Sequence, residues 1–320
     1  MTPLHPSLSK RIEEVRNDPL YAGRAGLSSK LAFFDGGNEG NRLILAEEAA
    51  SASPSGASLR IIGQISRGDH FLQPTGTYMP AHKSKDEDDV TKAKLRFHLH
   101  RPRDFGDVSD EYDTFLANLA LIHEEDVGKP TQKPKSIHRP SDNVKGITVL
   151  HQLVIPREDE DDVDDGDSQY ETSSDHGSDA AAMINSTDCT SFRSLLGLAW
   201  PWIASFINLT RSAVAFRSPF SFEGWPVKPD SEWRKELDSV KETHDIYPMQ
   251  AFGRDGELIH PSNYAKKLPG AIVDLSFTII HYDFDKSSRM CLYLTKLRVL
   301  VAPQPLPGSV RSTKNGIIRK

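Results

Sequence analysis

The sequence predicts an α+β, β-rich fold: an OB-like, partly open barrel with a long C-terminal β-hairpin, interrupted by a disordered acidic insertion. Three observations point to the β-rich class and its hairpin. Residues 271–284 (AIVDLSFTIIHYDF) and 290–302 (MCLYLTKLRVLVA) are two long β segments joined by Asp285-Lys-Ser-Ser288, the signature of a hairpin. Lys92 to His100 (KAKLRFHLH) alternates strictly, with Leu95, Phe97 and Leu99 on one side and Lys94, Arg96, His98 and His100 on the other, as a half-buried strand does. Amphipathic helical spacing is confined to a few short stretches between such strands.

In chain order, Ser9 to Asn17 carries helix formers, with Ser7 or Ser9 as N-cap and Asp18-Pro19 as stop. Lys30 to Phe34 is a strand before a turn at Asp35-Gly36-Gly37, and Leu59 to Ser66 is a second strand before Arg67-Gly68-Asp69. Gln73 to Asp89 reads as an irregular loop. Tyr112, Phe115, Leu116, Leu119 and Ile122 recur at helical spacing across 111–122. Val144 to Ile155 is rich in β-branched residues and predicts a strand ending at Pro156. Pro229 to Val240 predicts a helix starting at Asp230 or Ser231, Ile246 to Phe252 a strand, Arg254 to Glu257 a turn, and Asn263 to Leu268 a helical turn.

The net charge of −6 is unevenly spread. Residues 1–150 carry 20 basic and 21 acidic side chains, residues 151–190 one and twelve, and residues 191–320 eighteen and twelve. The acidity thus comes from one stretch, in which Glu158 to Asp167 holds eight carboxylates in ten residues. Such a stretch repels itself and offers no apolar face, so it is expected to be disordered. The expected organisation is one domain in two parts, 1–155 and 225–302, split by an insertion at 156–224 and followed by a tail at 303–320. Ser194 to Thr210 is uncharged, but with Pro201 at its middle it predicts an apolar patch and no membrane span.

Several function classes lose support. Cys189 and Cys291 alone cannot build a disulfide scaffold or a thiolate zinc site. The first residues lack an apolar signal segment, so an intracellular location is expected, nucleus or cytoplasm. No phosphate-binding Gly-Lys-Ser/Thr loop, nucleophile elbow, His-Glu-x-x-His helix or kinase signature occurs, so neither an enzyme nor a cofactor is expected. His98 and His100 share a strand face without a third ligand at a recognisable spacing, which argues for a polar face over a metal site.

A binding module fits better. Cations at alternate positions stand about 7 Å apart, comparable to the spacing of phosphates along an extended nucleic-acid strand. The expected nucleic-acid-binding residues are Lys94, Arg96, His98, His100 and Arg101, with Lys296 and Arg298 on the second half and Tyr282 and Tyr293 as stacking platforms. The expected partner is single-stranded DNA or RNA. The alternative is a protein-interaction or structural β-module whose acidic segment, Glu158 to Asp167, engages a basic protein.

Two blocks carry a resemblance. Arg60-Ile-Ile-Gly-Gln-Ile-Ser66 with Phe97-His-Leu-His-Arg-Pro102 forms the first, and the second runs from Trp233, Glu236, Leu237, Val240, Thr243, His244 and Ile246 through Asp255-Gly256, Ile259, Pro261, Tyr264, Leu268, Gly270-Ala271 and Val273 to Arg298-Val-Leu300. Together they resemble a family of proteins abundant in mushroom-forming fungi, which implies no particular activity. The order Asp255-Gly256, Pro261, Tyr264, Gly270, Tyr282 and Leu297-x-Val299 is similar to the carboxy-terminal part of phage OB-fold single-stranded-DNA-binding proteins. That similarity is what implies the OB-like, partly open barrel, to which the hairpin belongs, with a basic, aromatic-bearing groove. It transfers no individual DNA contact.

Overall fold

A computed structural model describes residues 5–37, 40–78, 89–103, 105–127, 138–141, 144–157, 220–284 and 287–304. Of the insertion expected at 156–224, residues 158–219, with Cys189 and the apolar patch 194–210, lie outside the described residues, as does the tail from 305.

Helix α1 (Pro6–Arg16) begins earlier than the serines predict. Pro6 occupies the first turn, where its missing N–H costs nothing, and the His5 ring accepts from the Ser7 backbone N–H in place of a serine oxygen. Strands β1 (Leu31–Phe34) and β2 (Asn41–Leu45) pair antiparallel across the Asp35–Gly40 turn, where Asp35 Oδ1 accepts from the Gly37 N–H at 2.7 Å. The central strands are β3 (Leu59–Ile65), β4 (Lys94–His100), β6 (Val144–Gln152), β10 (Ile272–Phe284) and β11 (Ser287–Val301). Helix α2 (Asp107–Val127) and the short β5 (His138–Ser141) lie between β4 and β6.

These five strands hydrogen-bond in a cycle. β3 pairs with β10 and β4, β4 with β6, β6 with β11 in parallel, and β11 with β10 along the hairpin. Two joints are short: β3 meets β4 only at Gln64↔His100 and Ile65↔Leu99, and β6 meets β11 only at Val149↔Leu292 and Leu150↔Tyr293. The sheet is therefore partly ring-like and stops short of a barrel, with β1 and β2 extending it from β10. At the first short joint the segment after β3 replaces the missing strand. Ser66, Phe71 and Thr77 donate their N–H groups to the carbonyls of His98, Arg96 and Lys94, which satisfies backbone that would otherwise be orphaned.

The core is the inner face of this ring. Leu59, Ile61, Leu95, Phe97, Leu99, Ile147, Val149, Leu275, Phe277, Ile279, Leu292 and Leu297 are all buried. Helix α2 closes it with Tyr112, Phe115, Leu119 and Ile122, the Phe115 ring lying 5.8 Å from that of Phe277. Gly63 is required where β3 crosses β4, since a Cβ there would stand 2.5 Å from the Leu99 side chain.

The strand expected at 144–155 divides at Leu153, whose backbone leaves β6 to bond Ala93 and Tyr247. Beyond it β7 (Val154–Pro156) pairs with β8 (His244–Ile246) in a separate two-stranded sheet. The strand expected at 246–252 also divides. Pro248 has no N–H for a ladder, and only Ala251–Phe252 continues, as β9, parallel to β11. Helix α3 (Glu232–Val240) is capped by Ser231, one of the two starts that the sequence offers, and the short α4 spans Tyr264–Lys267.

Candidate nucleic-acid interface

Directly paired residues on neighbouring strands share a face, so the register sorts the candidate residues. The pairs Lys94↔Gln152, Arg96↔Leu150 and His98↔Thr148 place the outer residues of β4 beside those of β6. Leu150↔Tyr293 carries that face to β11, and Arg298↔Phe252 carries it to β9. A bulge in β11 matters here. The register shifts by one between Ser276↔Lys296 and Phe277↔Leu294, so Lys296 keeps the side on which Tyr293 lies although three positions separate them. Without the bulge, Lys296 and Arg298 would turn inward.

On the other side of β4, Phe71 and Arg96 exchange both backbone hydrogen bonds, at 2.7 and 3.2 Å. Phe71, Arg96, Leu150 and Tyr293 thus form a row across the outer face, about 14 Å wide at ordinary strand spacing.

Three cations on this face lie against three rings. The Arg96 guanidinium is 4.4 Å from the centre of the Phe71 ring, Lys94 Nζ is 5.8 Å from that of Tyr293, and Lys296 Nζ is 5.4 Å from that of Phe252. A cation near a ring face is attracted by its quadrupole, by about 0.5–1 kcal/mol at exposed sites. Each pair therefore presents a flat apolar surface and a positive charge side by side. Arg298 extends the face toward the 254–257 turn, where it donates to the Arg254 carbonyl at 3.2 Å.

The segment 66–78 that carries Phe71 is anchored from behind. Trp225 Nε1 donates to the Pro74 carbonyl at 2.9 Å, and the Tyr78 ring meets Trp233 of α3 edge-on. Asp69, on the same segment, adopts φ 52°, a left-handed conformation that Asp and Asn tolerate best among non-glycines. Its carboxylate lies 2.9 Å from His98 Nε2 and 3.6 Å from an Arg96 nitrogen. His98 is only 3% exposed, and its Nδ1 meets the Thr148 hydroxyl at 3.2 Å.

The structure thus brings Lys94, Arg96, His98, Tyr293, Lys296 and Arg298 onto one face. His100 ends the row, its ring laid over Gly146, where a Cβ would stand in the ring. Arg101 leaves the row: it binds Asp110 at 2.7 Å and Asp113 at 3.1 Å, fastening the loop to the first turns of α2. Tyr282 is also separate. It lies four residues beyond Thr278, the residue opposite Tyr293, and packs on Gly40 of the β1–β2 turn. Phe71, Phe252 and Asp69 belong to the face and carry no periodic signal in the sequence.

A further histidine on β6 faces the opposite way. His151 is paired with the inward Leu95, stacks on Tyr247 and donates from Nε2 to the Tyr247 carbonyl at 2.8 Å. Complete burial pushes its pKa down to about 4, so it is a neutral core residue. Burial likewise raises the Tyr264 phenol, which donates to the Met249 carbonyl behind β9. Among the described residues no group of His, Cys, Asp and Glu could hold a metal, and no helix is long and apolar enough to cross a membrane.

No family model and no curated protein matches the sequence. Solved structures do. The single-stranded-DNA-binding protein encoded by bacteriophage T7 aligns over 79% of this chain and 96% of its own, at 8% identity and a TM-score of 0.33. The single-stranded-DNA-binding protein of bacteriophage Enc34, truncated at its C terminus, aligns over 88% and 100%, at 11% identity and a TM-score of 0.28. Both belong to the group that the Asp255-to-Val299 pattern resembles.

Proposed function

We propose that the protein binds single-stranded nucleic acid, without catalysing a reaction on it, across the outer face of β4, β6, β11 and β9. The observation that carries this reading is the set of three cation–ring pairs on one face that no described helix covers. A single strand offers phosphates on one side and flat bases on the other, and this face offers both complements at close quarters. Lys94, Arg96, Lys296 and Arg298 supply the phosphate contacts. Phe71, Tyr293 and Phe252 supply surfaces for bases, each stack contributing about 1–3 kcal/mol without regard to base identity. A duplex holds its bases edge-outward and gives such rings little to stack on, so single strands are favoured.

The test is fluorescence anisotropy with a labelled oligonucleotide at two salt concentrations. Four phosphate contacts predict a slope of about −3 in log K against log salt for a single strand. A weaker signal with the same sequence in duplex form is expected. No binding at low salt, also in a chain lacking residues 157–190, overturns the proposal.

A further inference from the structure

One charge on the proposed face has the wrong sign for it. Asp69 stands among the cations, its two carboxylate oxygens turned toward Arg96 and His98 at 3.6 and 2.9 Å. The placement is built in three ways. The left-handed backbone at Asp69 turns the side chain back over β4, the segment is bonded to β4 at Phe71 two residues later, and Trp225 holds the same segment at Pro74. At 38% exposure the carboxylate is accessible from the solvent side, whereas His98 beneath it is buried. A carboxylate bridging a guanidinium and an imidazole reproduces the contacts that a phosphate makes with the same two groups.

We propose that Asp69 is the internal counter-ion of this face, holding on Arg96 and His98 the place that one phosphate of the bound strand takes. This rests on the nucleic-acid reading above. In the free protein Asp69 holds the Arg96 guanidinium over the Phe71 ring, 4.4 Å from its centre, and offsets its charge. An incoming phosphate must displace the carboxylate, so the face is tuned to weaker binding than its cations alone would give. A strand that leaves is replaced at once by the tethered anion, which favours exchange over retention.

Asp69→Asn tests this cleanly. Asn is isosteric and tolerates the left-handed conformation, so the turn is kept while the charge is lost. With the full chain and a labelled oligothymidylate, Asp69→Asn is expected to bind several-fold more tightly at low salt. Its salt slope should steepen by about 0.7, the increment of one more phosphate contact on a single strand. The gain should vanish in an Arg96→Met background, where no guanidinium remains to be released. Unaltered or weakened binding by Asp69→Asn, with the wild type binding and the melting temperature preserved, overturns the counter-ion role and makes Asp69 a positioning residue instead. Absence of binding by the wild type, also without residues 157–190, overturns the nucleic-acid reading and this inference with it.

Discussion

The outer face of the sheet has two halves that use similar charges to opposite ends. Over β3 and β10 it is covered: helix α1 brings Arg11 down onto Asp274, which Arg60 of β3 also grips with two nitrogens at 2.8 and 2.7 Å. Asp274 is 5% exposed, so this cluster holds the helix to the sheet from within. Over β4, β6 and β11 no described helix lies on the face, and its cations meet rings. The difference teaches that an outward-facing charge on a strand has no fixed meaning. Asp274 and Lys94 look alike as polar positions in an alternating segment, and only what is laid over the strand separates glue from the proposed binding surface.

The sharpest way to break this comparison is to remove the glue. Asp274→Ala takes the buried carboxylate from Arg60 and Arg11, leaving them only Asp18 and Glu14 nearer the surface, and a loss of about 3–5 kcal/mol is expected in denaturant unfolding. Oligonucleotide binding by the fraction that remains folded should be unaltered, because the open half does not use that carboxylate. If Asp274→Ala costs no more stability than Lys296→Ala, the two halves are not distinct.

Next in size is a pH effect from the inner face. His151 has a folded pKa of about 4 against 6.5 for a free imidazole, so its contribution is fully present above about pH 6.5. It is lost as pH falls toward 4, because the unfolded chain then binds the proton more readily. The shift corresponds to about 3 kcal/mol. Melting curves between pH 7 and 4 should show this slope in the wild type and a shallower one in His151→Leu.

On the open half, Tyr293→Ala should weaken oligonucleotide binding by about 1–3 kcal/mol, with a smaller effect on unfolding since the ring is only half-buried. Tyr282→Ala, at the other end of the hairpin, serves as the internal contrast and should leave affinity in place. The smallest effect is expected of Lys296→Ala. It should leave stability within about 0.5 kcal/mol and make the salt slope shallower by about 0.7.

Much of this arrangement is legible in the sequence where the signal is local. The period of two in Lys94 to His100 identifies β4 and its outward cations, and the two β segments around residue 286 give the hairpin. Legibility ends at pairings between distant strands. Tyr282 and Tyr293 have equal claims as stacking platforms until the parallel pairing of β11 with β6 places Tyr293 beside Leu150 and leaves Tyr282 at the β1–β2 turn. Arg101 looks like the next member of the β4 row, but the strand has ended and two carboxylates of α2 claim it. Phe71 escapes notice because its segment follows β4 through backbone bonds, which leave no pattern in side chains. Lys296 illustrates the subtlest limit, since strict alternation from Tyr293 would point it into the core and only the bulge restores it.

The parallel pairing of β6 with β11 also sets an order of events. It joins Leu150 to Tyr293, so the face does not exist until β11, the last described strand, has been made and threaded between its neighbours. Contacts so far apart in sequence form slowly. A chain still on the ribosome carries the β4 cations but neither Tyr293 nor Lys296, so the proposed face is complete only once β11 has been made.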